Sequence, residues 1–269
     1  MSPGSPGRPP AVEVPLHGGT ANRGRVHRVR DTVRRPMRPT SAATHALLRY
    51  LEEVGFDGAP RVLGVDETGR EVLSYVPGEA VTAPAPGWGL TDAALDSVGR
   101  LLRRFHDAVA GFDPSPYRWP DSPYPPFDRG GITHNDPNLD NVVFREGHAV
   151  ALIDFDLASP GDPLWDVAGA ARMWAPLRLP ADTPDERRHG ELRRLRVLVD
   201  AYGLEPERRA RLVAAIRGHH DWMYALVRDG ARHGVPGFAA YWNAETAERA
   251  ERARIWLDGN IDALRAAVL

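Results

Sequence analysis

From Gly130 to Trp174 the chain reads GGITHNDPNLDNVVFREGHAVALIDFDLASPGDPLWDVAGAARMW, and three residues in it, Asp136, Asn141 and Asp154, could act on one small volume. Residues 141–144 are apolar and β-branched, Glu146-Gly147 is a turn signal, and residues 149–153 are apolar again, which predicts a β-hairpin. In an antiparallel ladder folding back at that turn, Asn141 lies opposite a residue near Leu152, within a step or two of Asp154. Asp136 precedes Asn141 in a loop stiffened by Pro137. An amide and a carboxylate presenting oxygens together suit a hard cation such as Mg²⁺, which takes few protein ligands and completes its shell with substrate phosphates. This is equipment for moving a phosphoryl group onto a hydroxyl.

Any one of these features alone is weak: an isolated His-x-Asp, or an Asp at a strand end, is ordinarily a cap or turn residue. The order and spacing together favour chemistry for Asp136, Asn141 and Asp154. His134 is read instead as a packed organiser of the loop, and Asp166 as the residue that holds the loop backbone.

His134-x-Asp136 followed by Asn141, Ile153-Asp154-Phe155-Asp156, and Gly161-Asp162-Pro163 with Asp166 and Ala168 resemble the aminoglycoside phosphotransferase/choline kinase family, a branch of the protein-kinase-like fold. The specific likeness covers the catalytic block, and a weaker one runs from Val12 onward. The resemblance implies an α+β, two-lobed fold, with a small N-lobe antiparallel sheet and a mainly helical C-lobe. It implies Asp136 as catalytic base and Asn141 and Asp154 as Mg²⁺ ligands. The expected division is a disordered tail at residues 1–10, a nucleotide-binding N-lobe at 11–77, and a C-lobe at 78–269 carrying the catalytic loop and the acceptor-binding helices.

Composition fits such a chain. Its 269 residues give ample core, with 42% hydrophobic and 26% charged residues. The absence of cysteine excludes disulfides, thiolate zinc sites and cysteine nucleophiles. No apolar run reaches membrane-spanning length, and the Pro/Gly-rich start lacks the apolar stretch of a signal peptide, so a cytoplasmic protein is expected. A net charge of -2 argues against a general nucleic-acid binder. All 34 basic residues are arginine.

The missing lysine matters, because protein kinases clamp nucleotide phosphates with a strand lysine paired to a helix glutamate. Residues 12–14, 25–29 and 32–35 read as three short strands, with a glycine loop holding Gly18, Gly19 and Asn22 as phosphate-cradle candidates. The lysine's place is assigned to Arg34, between Val33 and the terminating Pro36. Arg35 should then point to the opposite face, and Arg28 is a weaker candidate. The helix expected at 41–54 has Thr44 and His45 where the family has its glutamate, so the ion pair is absent or rebuilt. The nine arginines from Arg8 to Arg49 lack interleaved aromatics for base stacking, so phosphates or solvent are their expected partners.

A second hairpin ends at Pro77-Gly78, and the resemblance places the purine edge against the backbone of Ser74, Tyr75 and Val76. Helices are expected at 91–109, 184–202, 205–217, 219–233 and 241–269. Residues 114–127 are read as a packed loop overhanging the cleft. From Asp182 onward 14 acidic residues face 15 basic ones, a poor wall for a polycationic aminoglycoside.

The function expected is a small-molecule kinase using Mg²⁺ and ATP, with GTP left open as donor. The acceptor would be a hydroxylated small molecule, such as an antibiotic or other natural product in self-resistance or tailoring, or a primary-metabolite alcohol. No nucleic-acid or membrane partner is expected, and oligomeric state is undetermined. The rival reading is a silent pseudokinase that binds nucleotide or a partner without turnover.

Overall fold

The computed structural model describes residues 12–16, 24–120 and 123–269. Strands β1 (Glu13–Pro15), β2 (His27–Val29), β3 (Thr32–Pro36), β4 (Val62–Val65) and β5 (Arg70–Ser74) form an antiparallel sheet in the order β1-β2-β3-β5-β4. Helix α1 (Ser41–Glu53) buries Ala43, Leu47, Leu48 and Leu51, the stripe that a 3.6-residue period places on one face. In the turn before it, the Ser41 hydroxyl accepts from the Arg38 N–H.

The chain then crosses to the helical part through a hinge at residues 75–78 and the short strand β6 (Glu79–Ala80). Gly78 has φ +146°, and a Cβ there would stand 2.5 Å from the Phe144 carbonyl oxygen, so only glycine lets the hinge lie this close to the catalytic hairpin. Helix α2 (Asp92–Ala108) starts on the Thr91 hydroxyl, which accepts from the Ala94 N–H, and sends Leu95, Val98, Leu101, Leu102 and Phe105 into the core.

After β7 (Ile132–Thr133), the hairpin forms from β8 (Val142–Arg145) and β9 (His148–Leu152). Its two-residue turn, Glu146 and Gly147, has φ +52° and +76°, the left-handed pair whose twist matches flanking strands. The pairing Val142↔Leu152 sets Asn141 against Ile153, whose N–H donates to the Asn141 carbonyl. Strand β10 (Ser159–Pro160) pairs β7 and leads into helix α3 (Leu164–Trp174), almost entirely buried.

Helices α4 (Glu191–Tyr202), α5 (Pro206–Arg232), α6 (Pro236–Tyr241), α7 (Ala244–Gly259) and α8 (Ile261–Val268) complete the chain. Two expected helices, at 205–217 and 219–233, are one continuous α5. Gly218, taken as a break, is instead a packing site: a Cβ there would lie 3.1 Å from the ring of buried Trp165. The expected helix at 241–269 is divided by Asn243 and Asn260, and α4 starts later than 184 because Pro184 follows a short turn. In the loop at 114–127, Tyr117 and Trp119 pack with Phe112 and Trp119 Nε1 donates to the Pro114 carbonyl, but no described residue of the loop lines the cleft between the sheet and the hairpin.

A bulky side chain at Gly218 must displace the Trp165 ring. Gly218→Leu is expected to destabilise the fold by about 1–3 kcal/mol through overpacking, although leucine favours a helix by roughly 1 kcal/mol over glycine. Urea unfolding checks this; a midpoint at or above wild type would show that the contact gives way.

Candidate active site

The catalytic loop is held from below by one buried carboxylate. Asp166, on α3, accepts from the backbone N–H groups of His134 and Asn135, both at 2.7 Å, and from His106 Nε2 at 3.0 Å. Burial pushes its carboxyl up, but the hydrogen bonds from His106 and the loop outweigh this and hold it below the ordinary carboxylate range. Asn135 takes φ +67°, an uncommon left-handed turn stabilised by its Nδ2 donating to the Leu157 carbonyl and the Ser159 hydroxyl.

His134 is fully packed. Its Nδ1 accepts from the Asp136 N–H at 3.3 Å, which leaves Nε2 to donate to the Ile153 carbonyl at 3.0 Å. Its ring stands edge-on to Phe155, and burial lowers its pKa, so it serves as a neutral crosslink between the catalytic loop and the strand end before Asp154.

Above this support the structure brings Asp136, Asn141 and Asp154 together. Asn141 donates through Nδ2 to the Asp136 carbonyl and to Asp136 Oδ2, both at 2.9 Å. Its amide hydrogens are thereby spent on Asp136, and its amide oxygen remains as a donor atom for a cation. Asn138 Nδ2 donates to Asp136 Oδ1. Burial, reinforced by the charges of Asp140 and Asp154, pushes the Asp136 carboxyl up to about 8 against the pull of the Asn141 hydrogen bond. Asp154 has φ +63° and lines the cleft with Asn141 and Asp140.

The cleft, of about 490 Å³, lies between the sheet and the hairpin. Leu16, Val26, Val33, Leu48 and Leu73 supply its apolar walls, and Ser74, Tyr75, Val76 and Gly78 its hinge edge. The N–H groups of Ser74 and Tyr75 already donate to the carbonyls of Arg61 and Asp31. Val76 therefore offers the hinge N–H still able to meet a base edge. Gly18, Gly19 and Asn22 lie outside the described residues.

The arginine assignment is corrected. Arg34 turns away from the cleft and meets Asp66 at 3.4 Å. Arg35 is the buried one: Nε meets Glu71 at 2.7 Å, Nη1 meets Asp154 at 2.8 Å and Nη2 meets Asp156 at 2.8 Å. Strand alternation explains the error. Val33 lines the cleft, and the arginine sharing its face is two residues on, not one. Burial disfavours the Arg35 charge, yet Asp156, Asp154 and Glu71 outweigh burial and raise its pKa. Arg28 lies over the Tyr75 ring at 3.7 Å.

The missing ion pair is rebuilt on the sheet. Glu71 sits directly across from Arg35 in the β3–β5 ladder and also meets His45 Nε2 at 2.6 Å. His45 thus stands on α1 where a helix glutamate was looked for, and the carboxylate has moved to β5. Arg38 meets Asp156 at 2.9 Å, tying the segment after β3 to the same cluster. Sequence reasoning missed Glu71, His45, Arg38 and Asp156 as members of the site. The alternation of Val33 and Arg35 was the signal available for the arginine, and none marked Glu71.

Comparison with known proteins bears on family and fold. Residues 117–202 match the phosphotransferase enzyme family. The trifolitoxin immunity protein of Rhizobium leguminosarum bv. trifolii is 37% identical over 211 residues, 75% of this chain and 78% of that protein. The GDP complex of aminoglycoside 2'-phosphotransferase-IIIa superposes with a TM-score of 0.61 at 15% identity, over 89% of this chain and 91% of the other. A choline/ethanolamine kinase family protein from Mesorhizobium loti gives 0.59 at 18% identity, over 90% and 88%. At these identities the two structures share the two-lobed kinase-like fold. No helix among the described residues is long and apolar enough to cross a membrane.

Removing Glu71 leaves Arg35 one buried partner short. Glu71→Gln is expected to cost about 3 kcal/mol or more in stability, as for other broken buried ion pairs. Arg35→Ala should weaken Mg²⁺-dependent nucleotide binding by at least about tenfold, whereas Arg34→Ala changes it little. Calorimetry on the two arginine variants separates them, and equal losses would mean that the strand face is wrongly assigned.

Proposed function

We propose that this chain, which belongs to the phosphotransferase enzyme family, is a small-molecule kinase moving the γ-phosphoryl group of ATP, with GTP as the alternative donor, onto an acceptor hydroxyl. The observation that carries the reading is the convergence of Asn141, Asp154 and Arg35 on one cleft wall, with Asp136 hydrogen-bonded to Asn141 behind it. The division at residues 77/78 into nucleotide-binding and acceptor-binding parts belongs to the same proposal.

In the step proposed, the acceptor oxygen forms a bond to the γ-phosphorus as the bond from that phosphorus to the β–γ bridging oxygen breaks. The electron pair leaves with the nucleoside diphosphate, and the hydroxyl proton passes to the Asp136 carboxylate. Asn141 and Asn138 fix that carboxylate by donating to its two oxygens. The purine lies between the apolar walls, with its edge on Val76, while Arg35 neutralises phosphate charge and Glu71 aims the guanidinium. The donor set fits Mg²⁺, since the Asn141 amide oxygen and the Asp154 carboxylate are hard ligands on one side of the cleft. Bound there, Mg²⁺ would neutralise charge on the phosphates as transfer proceeds. Positioning and charge stabilisation account for the rate, with no covalent intermediate.

The pseudokinase alternative rested on the absent lysine–glutamate pair, and Arg35 with Glu71 removes that support. That a 37% identical relative is an immunity protein favours a toxic natural product as acceptor, hence self-resistance. Incubation with ATP, Mg²⁺ and a panel of hydroxylated antibiotics, nucleosides and hydroxy acids, followed by mass detection, tests the reading; nucleotide bound but never consumed would favour the pseudokinase.

Asp136→Asn is expected to lower kcat by about 10²–10⁴-fold. Its effect on stability has a sign fixed by the raised carboxyl. A carboxyl at about 8 in the fold and about 3.9 unfolded holds its proton in the folded state alone between these values. Its contribution to stability is therefore present at acid pH and lost as pH rises through about 8. Nucleotide-free Asp136→Asn should gain in melting temperature on wild type between pH 5 and about 9. A gap that does not change with pH would remove the raised carboxyl. Asp154→Ala should abolish turnover and the Mg²⁺ dependence of nucleotide binding; unchanged affinity and activity would remove Asp154 from the metal site.

A further inference from the structure

Beside the catalytic loop stand arginines that form no ion pair with a carboxylate among the described residues. A cavity of about 650 Å³ adjoins the nucleotide cleft, sharing Thr82 and Asp140 with it, and its wall includes Asn138 of the catalytic loop and Arg178. Among the described residues the Arg178 guanidinium has no hydrogen-bond or ion-pair partner, and its Nε is buried without one. Arg172, buried on α3, has no carboxylate partner either. Its Nη1 donates to His219 Nδ1 at 3.0 Å and its guanidinium carbon lies 5.6 Å from the Tyr224 ring centre. His219 Nε2 reaches the Asn135 carbonyl at 3.3 Å, one residue before Asp136, so this cation sits one ring away from the catalytic loop. Arg249 adds a third charge near Arg178, its Nη2 contacting the Tyr241 hydroxyl at 3.5 Å.

The neighbouring acids are mostly committed elsewhere. Asp185 holds Arg187 at 2.6 Å, Asp182 holds Arg252 at 2.6 Å, and Asp221 is taken by Arg217 and His220. Asp185 and Arg187, paired with each other, line the cavity too, as does the exposed Glu186, and Asp140 faces both cavities. Burial pushes His219 down to about 3, so the ring beside Arg172 adds no charge of its own at neutral pH. Burial and the nearby charges of Arg187 and Arg249 depress Arg178 against the opposing charge of Asp185, and burial depresses Arg172 against that of Asp221. Unpaired cations in such surroundings are costly to keep, and a chain that keeps them next to its reactive groups is suited to receive a negative charge there.

We infer that the acceptor is an anion: a hydroxylated molecule whose carboxylate or phosphate docks on Arg178, in the field of Arg172 and Arg249, while its hydroxyl reaches Asp136. The inference rests on the kinase reading and narrows its substrate class. The planar fork of Arg178, on the cavity wall, suits an oxyanion. A polycation would instead meet unpaired arginines and lose affinity by like-charge repulsion.

Calorimetry on the full chain separates the two readings. Titration of a magnesium-bound, non-hydrolysable ATP analogue tests nucleotide binding by itself. Citrate and uncharged succinamide are then titrated with and without that nucleotide. Citrate is expected to bind saturably and succinamide not, and Arg178→Gln should weaken citrate by about tenfold or more, with Arg178→Lys between. Citrate should raise the melting temperature of wild type and not that of Arg178→Gln, a readout that holds even if affinities are low. Turnover of hydroxy acids should exceed that of their amides through KM. Equal behaviour of citrate and succinamide on wild type, or undiminished citrate binding to Arg178→Gln, overturns the inference, as does efficient phosphorylation of an aminoglycoside in preference to every acid. If nucleotide fails to bind while citrate depends on Arg178, the oxyanion site stands and the kinase reading falls.

Discussion

One guanidinium ties the two halves of this protein together. Arg35 leaves the sheet from β3, takes Glu71 from the adjacent strand, and meets Asp154 and Asp156 beyond the catalytic hairpin. Three carboxylates so close would repel one another. A buried, permanently charged fork is what lets them coexist. Arg38 on Asp156 and His45 on Glu71 extend the network to the segment after β3 and to α1. The lobes meet through this charge cluster and also through an apolar core that runs from Leu47, Leu51 and Phe56 to Phe105 and Phe155.

The support beneath the site follows a different logic. Asp166 binds the backbone of the catalytic loop, and His134 crosslinks that loop to the strand end. These groups are buried and hydrogen-bonded, so they fix geometry without entering the cleft. Asp136 lies between the two regimes. It is anchored by Asn141 and Asn138, yet burial and the surrounding negative charge push its carboxyl up. Filling the cleft with cation would release the carboxyl's proton, which couples the basicity of Asp136 to occupancy of the neighbouring site.

What the sequence made legible was local. Asp136, Asn141 and Asp154 lie within a stretch whose hairpin, turn and loop can be built from spacing alone; in the structure Asn141 and Asp154 line the cleft and Asn141 holds Asp136. The α+β two-lobed fold was legible from the same block through its family resemblance. What was lost depended on long-range register or packing. Arg34 and Arg35 differ by one step of a strand, and only its pairing with β5 says which one faces Glu71. Gly218 looked like a helix break because its partner, Trp165, lies far away in sequence. The unpaired state of Arg178 is likewise invisible in a chain of near-balanced charge, since it depends on which acids are already taken.

The replacement of a strand lysine by Arg35 carries over to the bench. Nucleotide reagents that survey kinases by acylating an amine near the phosphates need a nucleophilic nitrogen there. A guanidinium is too weakly nucleophilic to accept the acyl group, and with no lysine anywhere in the chain no neighbouring lysine can stand in. Surveys of that kind would pass over this protein even with its cleft fully occupied, and a reagent aimed at carboxylates or arginines would be needed to mark it.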